Sequence, residues 1–191
     1  MRRRIEHDEA SGHLDRFFFA VRPPPSLACR IAAFGEVLGG NAPRVSANRL
    51  HVTVAVSDDF EGYPAGFVEI LLRVGGRVAS APFRIALDRV LSGKRAVFLM
   101  PTAKCPDLKA LYQAIADGMA SARAPLRKGV GFSPHMTLFY RDNAALDFPL
   151  PRLEWKVSEL LLIHSLVGLT RHETLASWPL IPREQDQHSL F

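Results

Sequence analysis

"SPHMTLFY", residues 133–140, begins at a proline turn and runs into a stretch dense in strand-forming types. Within it His135 and Thr137 stand two places apart among residues that otherwise read as core. Side chains alternate across a strand, so positions i and i+2 share a face and lie roughly 6.5–7 Å apart. The strand therefore carries an imidazole and a hydroxyl on one face, with Met136 and Leu138 on the other. The same arrangement occurs in "HVTVAV", residues 51–56, where His51 and Thr53 share a face against Val52 and Val54. The two histidines are 84 positions apart, and each motif follows a helical stretch and a loop. This repetition predicts two similar lobes, each supplying one such strand.

Working outward, "RFFFAV" (residues 16–21) reads as a strand stopped by Pro23, Pro24 and Pro25. Leu27, Ile31, Phe34 and Leu38 then recur at helical spacing up to Gly39 and Gly40. A second helix is expected over 65–80, weakened by Gly75 and Gly76. "FRIALDRVLS" and "AVFLM" read as strands joined by a turn at 92–94. The clearest helix covers 107–122, where Leu108, Leu111, Tyr112, Ile115 and Met119 form one apolar stripe. After the His135 strand come a polar turn at 141–143, one long strand from about Trp155 to Leu166, and a last strand over about 173–179. The order β-α-β-α-β-β-α-β-β-β, with several short turns between strands, predicts an α+β fold. Its two lobes are expected to hold largely antiparallel sheets flanked by helices around a central cleft. Residues 1–14 are expected to be a mobile arm, 15–180 one two-lobed domain, and 181–191 a frayed tail.

The composition narrows the classes. The chain has 191 residues and is 48% hydrophobic, enough for a sizeable core. It has no apolar run of membrane-spanning length, and the charged opening "MRRRIEHDEASGH" lacks the apolar stretch of a secretory signal. A cytoplasmic protein, monomeric and without membrane partners, is expected. The formal net charge of +5 favours polyanionic partners, nucleic acid above all. Cys29 and Cys105 form no disulfide framework or CxxC pattern and are expected to be reduced, partly buried thiols.

The motif pair suggests a specific chemistry. Imidazole has an unperturbed pKa close to neutrality, so one neutral ring can take a proton from water while a charged one gives a proton to a leaving oxygen. The threonine hydroxyls can donate to nonbridging phosphate oxygens. Two such strands facing each other suit in-line attack of water on a phosphodiester without a metal or other cofactor. Each motif alone also fits a satisfied polar pair at the edge of a core.

His51-Val52-Thr53-Val54 and His135-Met136-Thr137-Leu138 resemble the paired His-x-Thr-hydrophobic signatures of the 2H phosphoesterase superfamily. More narrowly, "RFFFAVRPP", "NRLHVTVAV", "FSPHMTLFY" and the stretch from Trp155 to Leu180 are similar to the bacterial RNA 2′,3′-cyclic phosphodiesterases, also called 2′-5′ RNA ligases. The resemblance covers about residues 15–180. It implies two lobes with one motif each, and hydrolysis of RNA or nucleotide 2′,3′-cyclic phosphate to a 2′-phosphate. It further implies that His51 is the acid for the departing 3′ oxygen, that His135 is the base for water, and that Thr53 and Thr137 hold the phosphate. Two other activities fit the same cleft: 2′-5′ ligation of RNA, and RNA binding with little catalysis.

Many relatives carry arginine five residues after the second histidine, where this chain has Tyr140 followed by Arg141. Strand parity places Arg141 on the His135 face if the strand extends that far. Tyr140, Arg141 and Arg171 are therefore candidate substrate-binding residues. His164 and His172 have no carboxylate or cysteine at ligand spacing, so a structural role is expected for them and no metal site. Phe17, Phe18 and Phe19 are expected in the core, with base stacking as the alternative.

Overall fold

The structure is a computed structural model that describes residues 13–124 and 126–181. The expected N-terminal arm (but for its last two residues) and all but the first residue of the expected tail lie outside the described residues. Twelve elements follow in order. They are β1 (Leu14–Val21), α1 (Pro25–Gly39), a 3₁₀ turn (Ala47–Arg49), β2 (Val52–Glu61), α2 (Ala65–Arg77), β3 (Phe83–Ser92), β4 (Ala96–Met100), α3 (Pro106–Ser121), β5 (Met136–Tyr140), β6 (Asp147–Val157), β7 (Glu159–Val167) and β8 (Arg171–Pro179). The strands form two four-stranded sheets, ordered β2-β1-β7-β8 and β5-β4-β3-β6, with every neighbouring pair antiparallel. The α+β fold with two similar lobes is as expected.

The long strand expected from Trp155 to Leu166 is two strands. Val157 ends β6 in one sheet and Glu159 opens β7 in the other, so Ser158 is where the chain crosses between lobes. The Ser158 carbonyl accepts from the Leu180 N–H at 2.8 Å. The first part of β6, "DFPLP", contains Pro149 and Pro151, which argue against a strand. β6 is a sheet edge, and its register against β3 breaks between Pro149 and Leu153, so Pro151 stands in an irregular stretch of an edge strand, where proline is tolerated.

The two lobes are built from the same unit: β1-α1-β2 in one, β4-α3-β5 in the other. In each, two antiparallel neighbours are joined through a helix that opens on a proline. Each helix packs against the other lobe's motif strand, α1 on β5 and α3 on β2. The loop after α1 continues this crossing: Val45 N–H donates to the Leu138 carbonyl at 2.9 Å, and Tyr140 N–H to the Pro43 carbonyl at 2.9 Å. The loop after α3 does the same for β2, with Arg127 N–H donating to the Val56 carbonyl at 3.0 Å. Backbone hydrogen bonds thus cover the outer edges of both motif strands and tie the lobes together.

Two glycines allow this packing. A Cβ at Gly39 would lie 3.1 Å from the Phe139 ring, so the end of α1 sits directly on that ring. Phe139 is fully buried, which stabilises the fold by about 1.5–3 kcal/mol. A Cβ at Gly75 would lie 2.3 Å from Trp178, so the glycines that weaken α2 in the sequence admit the Trp178 ring instead. Phe17 and Phe19 belong to the main core, as expected. Phe18 does not: with Ala20, Leu161, Ile163 and Val56 it forms a small cluster on the other face of its sheet. Cys29 is exposed rather than partly buried, and Cys105 directly precedes α3.

Candidate active site

Both motifs are built the same way. His51 and His135 each sit immediately before their strand, β2 or β5. His51 Nδ1 lies 2.6 Å from the Arg49 carbonyl oxygen, and His135 Nδ1 lies 2.7 Å from that of Ser133. A carbonyl only accepts, so each Nδ1 carries the hydrogen and donates to the residue two places earlier. In the neutral ring the lone pair is then on Nε2, which makes Nε2 the nitrogen available for chemistry.

The strands also share a bulge. On β1 and β2, Ala20 faces Thr53 while Phe19 faces Ala55, so Val54 is the extra residue. On β4 and β5, Phe98 faces Thr137 while Val97 faces Phe139, so Leu138 is the extra residue. The bulge resets the alternation one place after each threonine. Ala55 and Phe139 turn into the core, and Val56 and Tyr140 join the threonine face. This corrects the parity argument for Arg141. The strand ends at Tyr140, and the Arg141 guanidinium donates to the Gly39 carbonyl and lies over the Phe139 ring, with Cζ 5.4 Å from its centroid. Arg141 thus interacts favourably with the C-terminal end of α1 and lies away from the threonine face. Tyr140 is 48% exposed on that face, near Arg16 of the other lobe.

The two motifs come together. Thr53 of the first and His135 of the second line one pocket of about 120 Å³, which continues along Val56, Tyr112, Leu126, Arg127 and Phe132. His135 is near enough for its charge to act on His51. Each histidine rests on a phenylalanine of the adjacent strand. His51 stacks on Phe18 with centroids 4.8 Å apart, and His135 packs on Phe98 at 5.1 Å.

The His51 side is more crowded. The His172 ring meets His51 edge-on at 5.5 Å and Phe18 at 5.4 Å. Burial pushes the His51 pKa down to about 4; the bond to Arg49 opposes this, and charge on His172, Arg22 and His135 adds to it. His172 is likewise pushed down to about 4, by burial and then by Arg49 and Arg22. Arg171 pairs with Leu166 and projects from the opposite face of the sheet, so His172 rather than Arg171 faces the cleft. His164 is buried, bonded through Nε2 to Asp15 and stacked on Phe17 at 4.8 Å, which is the structural role expected. At the far end of the cleft Arg16 binds Asp59 bidentately at 2.6 and 2.8 Å, and Arg127 bonds the same carboxylate. These two arginines hold the Asp59 pKa below its ordinary value. Among the described residues no group of three or more His, Cys, Asp and Glu side chains converges as a metal site would require. No helix among them is long and apolar enough to cross a membrane.

The family model of the 2′-5′ RNA ligase superfamily matches residues 23–168, which include both motifs. The chain belongs to that superfamily. A search by sequence against curated proteins finds no match. Several solved structures share the fold of this superfamily member. E. coli LigT in complex with ATP is 23% identical, with a TM-score of 0.71 over 88% of this chain and 99% of LigT. A structure described as a phosphoesterase is 22% identical, with a TM-score of 0.73 over 88% and 99% of the two chains. TT0787 of Thermus thermophilus is 22% identical, with a TM-score of 0.69 over the same shares.

The sequence contained Arg22, Arg49 and His172, yet their meeting beside His51 was not read from it. Arg49 stands two places before His51, the position whose carbonyl anchors the ring, and that spacing was a usable signal. Arg22 and His172 are brought in by β1 and β8, 150 positions apart, and nothing local marks them.

Proposed function

We propose that the protein hydrolyses the 2′,3′-cyclic phosphate end of RNA or of a nucleotide to a 2′-phosphate, acting as a monomer, with His51 and His135 as the acid–base pair. The observation that carries this reading is the repeated motif geometry. Two Nδ1-anchored imidazoles and two threonines approach from opposite lobes, and Thr53 and His135 share one pocket wall. A phosphate between them would accept from Thr53 and Thr137. His135 Nε2, neutral at the start, takes a proton from the attacking water. His51 Nε2 gives one to the departing 3′ oxygen, while the 2′ oxygen stays on phosphorus. No step in this scheme needs a metal.

The His51 pKa of about 4 bears on that role, because the free protein holds the ring neutral at pH 7. The negative charge of a bound cyclic phosphate favours the protonated form, so the proton to be donated is taken up as substrate enters. Tyr140, on the Thr137 face and half-exposed, would contact the ribose or base. LigT crystallised with ATP, with 3′-AMP and with phosphate, and a similar fold here supports nucleotide phosphate as the ligand class.

The test is incubation of the EDTA-treated protein with adenosine 2′,3′-cyclic phosphate and identification of the product isomer. Adenosine 2′-phosphate is the expected product, at the same rate with and without chelator. A 3′-phosphate product, or turnover that requires a divalent ion, would overturn the scheme. Ligation is the second reading, favoured by the superfamily match. It predicts joining of RNA carrying a cyclic phosphate to a 5′-hydroxyl RNA through a 2′-5′ bond.

A further inference from the structure

Two arginines and a second imidazole lie around His51. Arg22 directly follows β1 and donates to Thr174 Oγ1 at 3.5 Å. Arg49 lies in the turn whose carbonyl anchors His51. His172 touches both the His51 and Phe18 rings from β8. Arg22 Nε, Arg49 Nε and His172 Nδ1 are all buried with no hydrogen-bond partner. An arginine Nε–H is always a donor, and buried donors without acceptors are rare in folded proteins. Several other arginines are ion-paired: Arg16 with Asp59, Arg127 with Asp59 and Asp58, Arg84 with Glu154, and Arg89 with Asp147. Among the described residues neither Arg22 nor Arg49 makes an ion pair. The carboxylate whose charge reaches Arg22 is Glu159, which is bonded to Ser177 at 2.7 Å.

We propose that Arg22, Arg49 and His172 form a second anion subsite that takes the phosphate on the 5′ carbon of the nucleotide whose cyclic phosphate is attacked. The identity of that nucleotide rests on the function proposed above. The pocket lined by Thr53 and His135 includes neither these three residues nor His51, and all four belong to the β2-β1-β7-β8 lobe, so the cluster lies on the far side of His51's own strand end from that pocket's second-lobe wall. The cyclic phosphate is to be gripped from both lobes, so a cluster on one lobe, flanking His51, suits a second charge. A nucleotide ending in a cyclic phosphate can carry its next phosphate only at the 5′ carbon, either as a terminal monophosphate or as the link to an RNA chain. A phosphate brings acceptor oxygens to the two guanidiniums, whose charge-assisted bonds are the strong ones, and its charge favours protonation of His172, which is neutral near pH 7 without it. The subsite would make the protein prefer 5′-phosphorylated or polymeric substrates over a bare nucleoside cyclic phosphate.

Binding and turnover test this separately. Calorimetric titration should show adenosine 5′-monophosphate binding about tenfold or more tighter than adenosine, to the wild type and to His135→Ala alike. The advantage should shrink to about threefold or less in Arg22→Gln and in Arg49→Gln, with partial recovery in Arg49→Lys, which keeps a point charge. No advantage in the wild type would overturn the subsite. So would an advantage that His135→Ala abolishes and both arginine variants keep, because the phosphate would then sit in the catalytic pocket. In the turnover arm, kcat/KM is compared for adenosine 2′,3′-cyclic phosphate, its 5′-phosphorylated form and the adenylyl dinucleotide with the same cyclic end. Gain with the 5′-phosphate alone identifies a terminal phosphate, and gain with both identifies a chain phosphodiester. Equal kcat/KM for all three rejects the subsite while the hydrolase stands. Absence of turnover with all three rejects the hydrolase, and the titration still decides the subsite.

Discussion

The two motif strands share a backbone and differ in their surroundings. His51 and His135 have the same place before a strand, the same Nδ1 anchor two residues earlier, a phenylalanine from the neighbouring strand, and the same bulge after the threonine. Only His51 lies against a second imidazole, with two arginines close enough to act on that cluster. Five residues after its histidine, the first lobe carries the apolar Val56, packed on the Phe18 cluster, and the second carries Tyr140, half-exposed. A duplicated backbone thus fixes where two imidazoles stand, and the residues around each one set its charge. Acid–base chemistry with two identical side chains needs the pair to differ in protonation when the reaction begins, and because the surroundings of His51 hold it neutral in the free protein, the charge of the bound phosphate has to supply that difference.

The largest effect expected from breaking the pair is on turnover. His51→Ala and His135→Ala should each lower kcat on a cyclic phosphate roughly 10²–10⁴-fold, the usual worth of one general acid or base. Affinity for RNA should fall far less, because the subsite proposed for Arg22 and Arg49 would still meet phosphates. A substrate with a p-nitrophenolate leaving group distinguishes the two roles, because a good leaving group needs no acid. On it, His51→Ala should recover most of the lost rate and His135→Ala should not. Recovery by His135→Ala instead would reverse the assignment. Next in size are Thr53→Ala and Thr137→Ala, each removing one hydrogen bond to a charged group. A loss of about 1.5–3 kcal/mol, or roughly 10–150-fold in kcat/KM, is expected. Similar losses at the two positions would show that the phosphate is gripped evenly, and a loss at one alone would break the symmetry.

A smaller effect sharpens the contrast between the two imidazoles. The pH profile of kcat/KM reports ionisations of the free protein, so one limb should lie near pH 4, at the depressed pKa of His51. His172→Gln removes a neighbouring charge and loosens the packing around His51, and both changes raise the His51 pKa. The limb should move upward in that variant. A limb that stays in place would show that His172 does not set the charge of His51.

The sequence revealed the site through periodicity and concealed its surroundings for identifiable reasons. Two residues of alternation sufficed to pair His51 with Thr53 and His135 with Thr137, because strand geometry is local. The bulges at Val54 and Leu138 were illegible, since neither residue is a glycine or otherwise marked. Each bulge shows only in the pairing with the partner strand, and the other lobe's loop bonds the same edge. That is why parity sent Arg141 toward the cleft when Tyr140 occupies the place. Pro149 and Pro151 hid β6, because proline argues against a strand in general but is tolerated on an edge strand and at a break in register. The crossover at Ser158 was hidden by a continuous run of strand formers on both sides of it. The Arg22, Arg49 and His172 cluster depends on three elements distant in sequence, and long-range pairing leaves no periodic trace.

The crowding around His51 should also be visible in stability, without any substrate. In the folded protein His51 and His172 both titrate at about 4, against about 6.5 for an unstrained imidazole. Above pH 6.5 neither ring is charged in either state, and folding is not opposed. As pH falls from 6.5 toward 4, the unfolded chain takes up protons that the folded chain refuses, so the equilibrium shifts toward unfolding. Stability therefore falls across that window and is insensitive to these rings below it. Asp59 acts lower: its pKa is held below 3.8 by Arg16 and Arg127, and its contribution is lost only as pH falls through that depressed value. The window from pH 6.5 to 4.5 thus lies above the range in which Asp59 titrates. Thermal melts across it should show a decline on the order of 2–4 °C or more, which corresponds to about 1 kcal/mol for a chain of this size. His172→Gln should flatten the decline, because it removes one titrating ring and relieves the other, and His135→Ala should flatten it less. Equal slopes in wild type and His172→Gln would show that the two rings do not share their burial, and the electrostatic contrast between the lobes would fail.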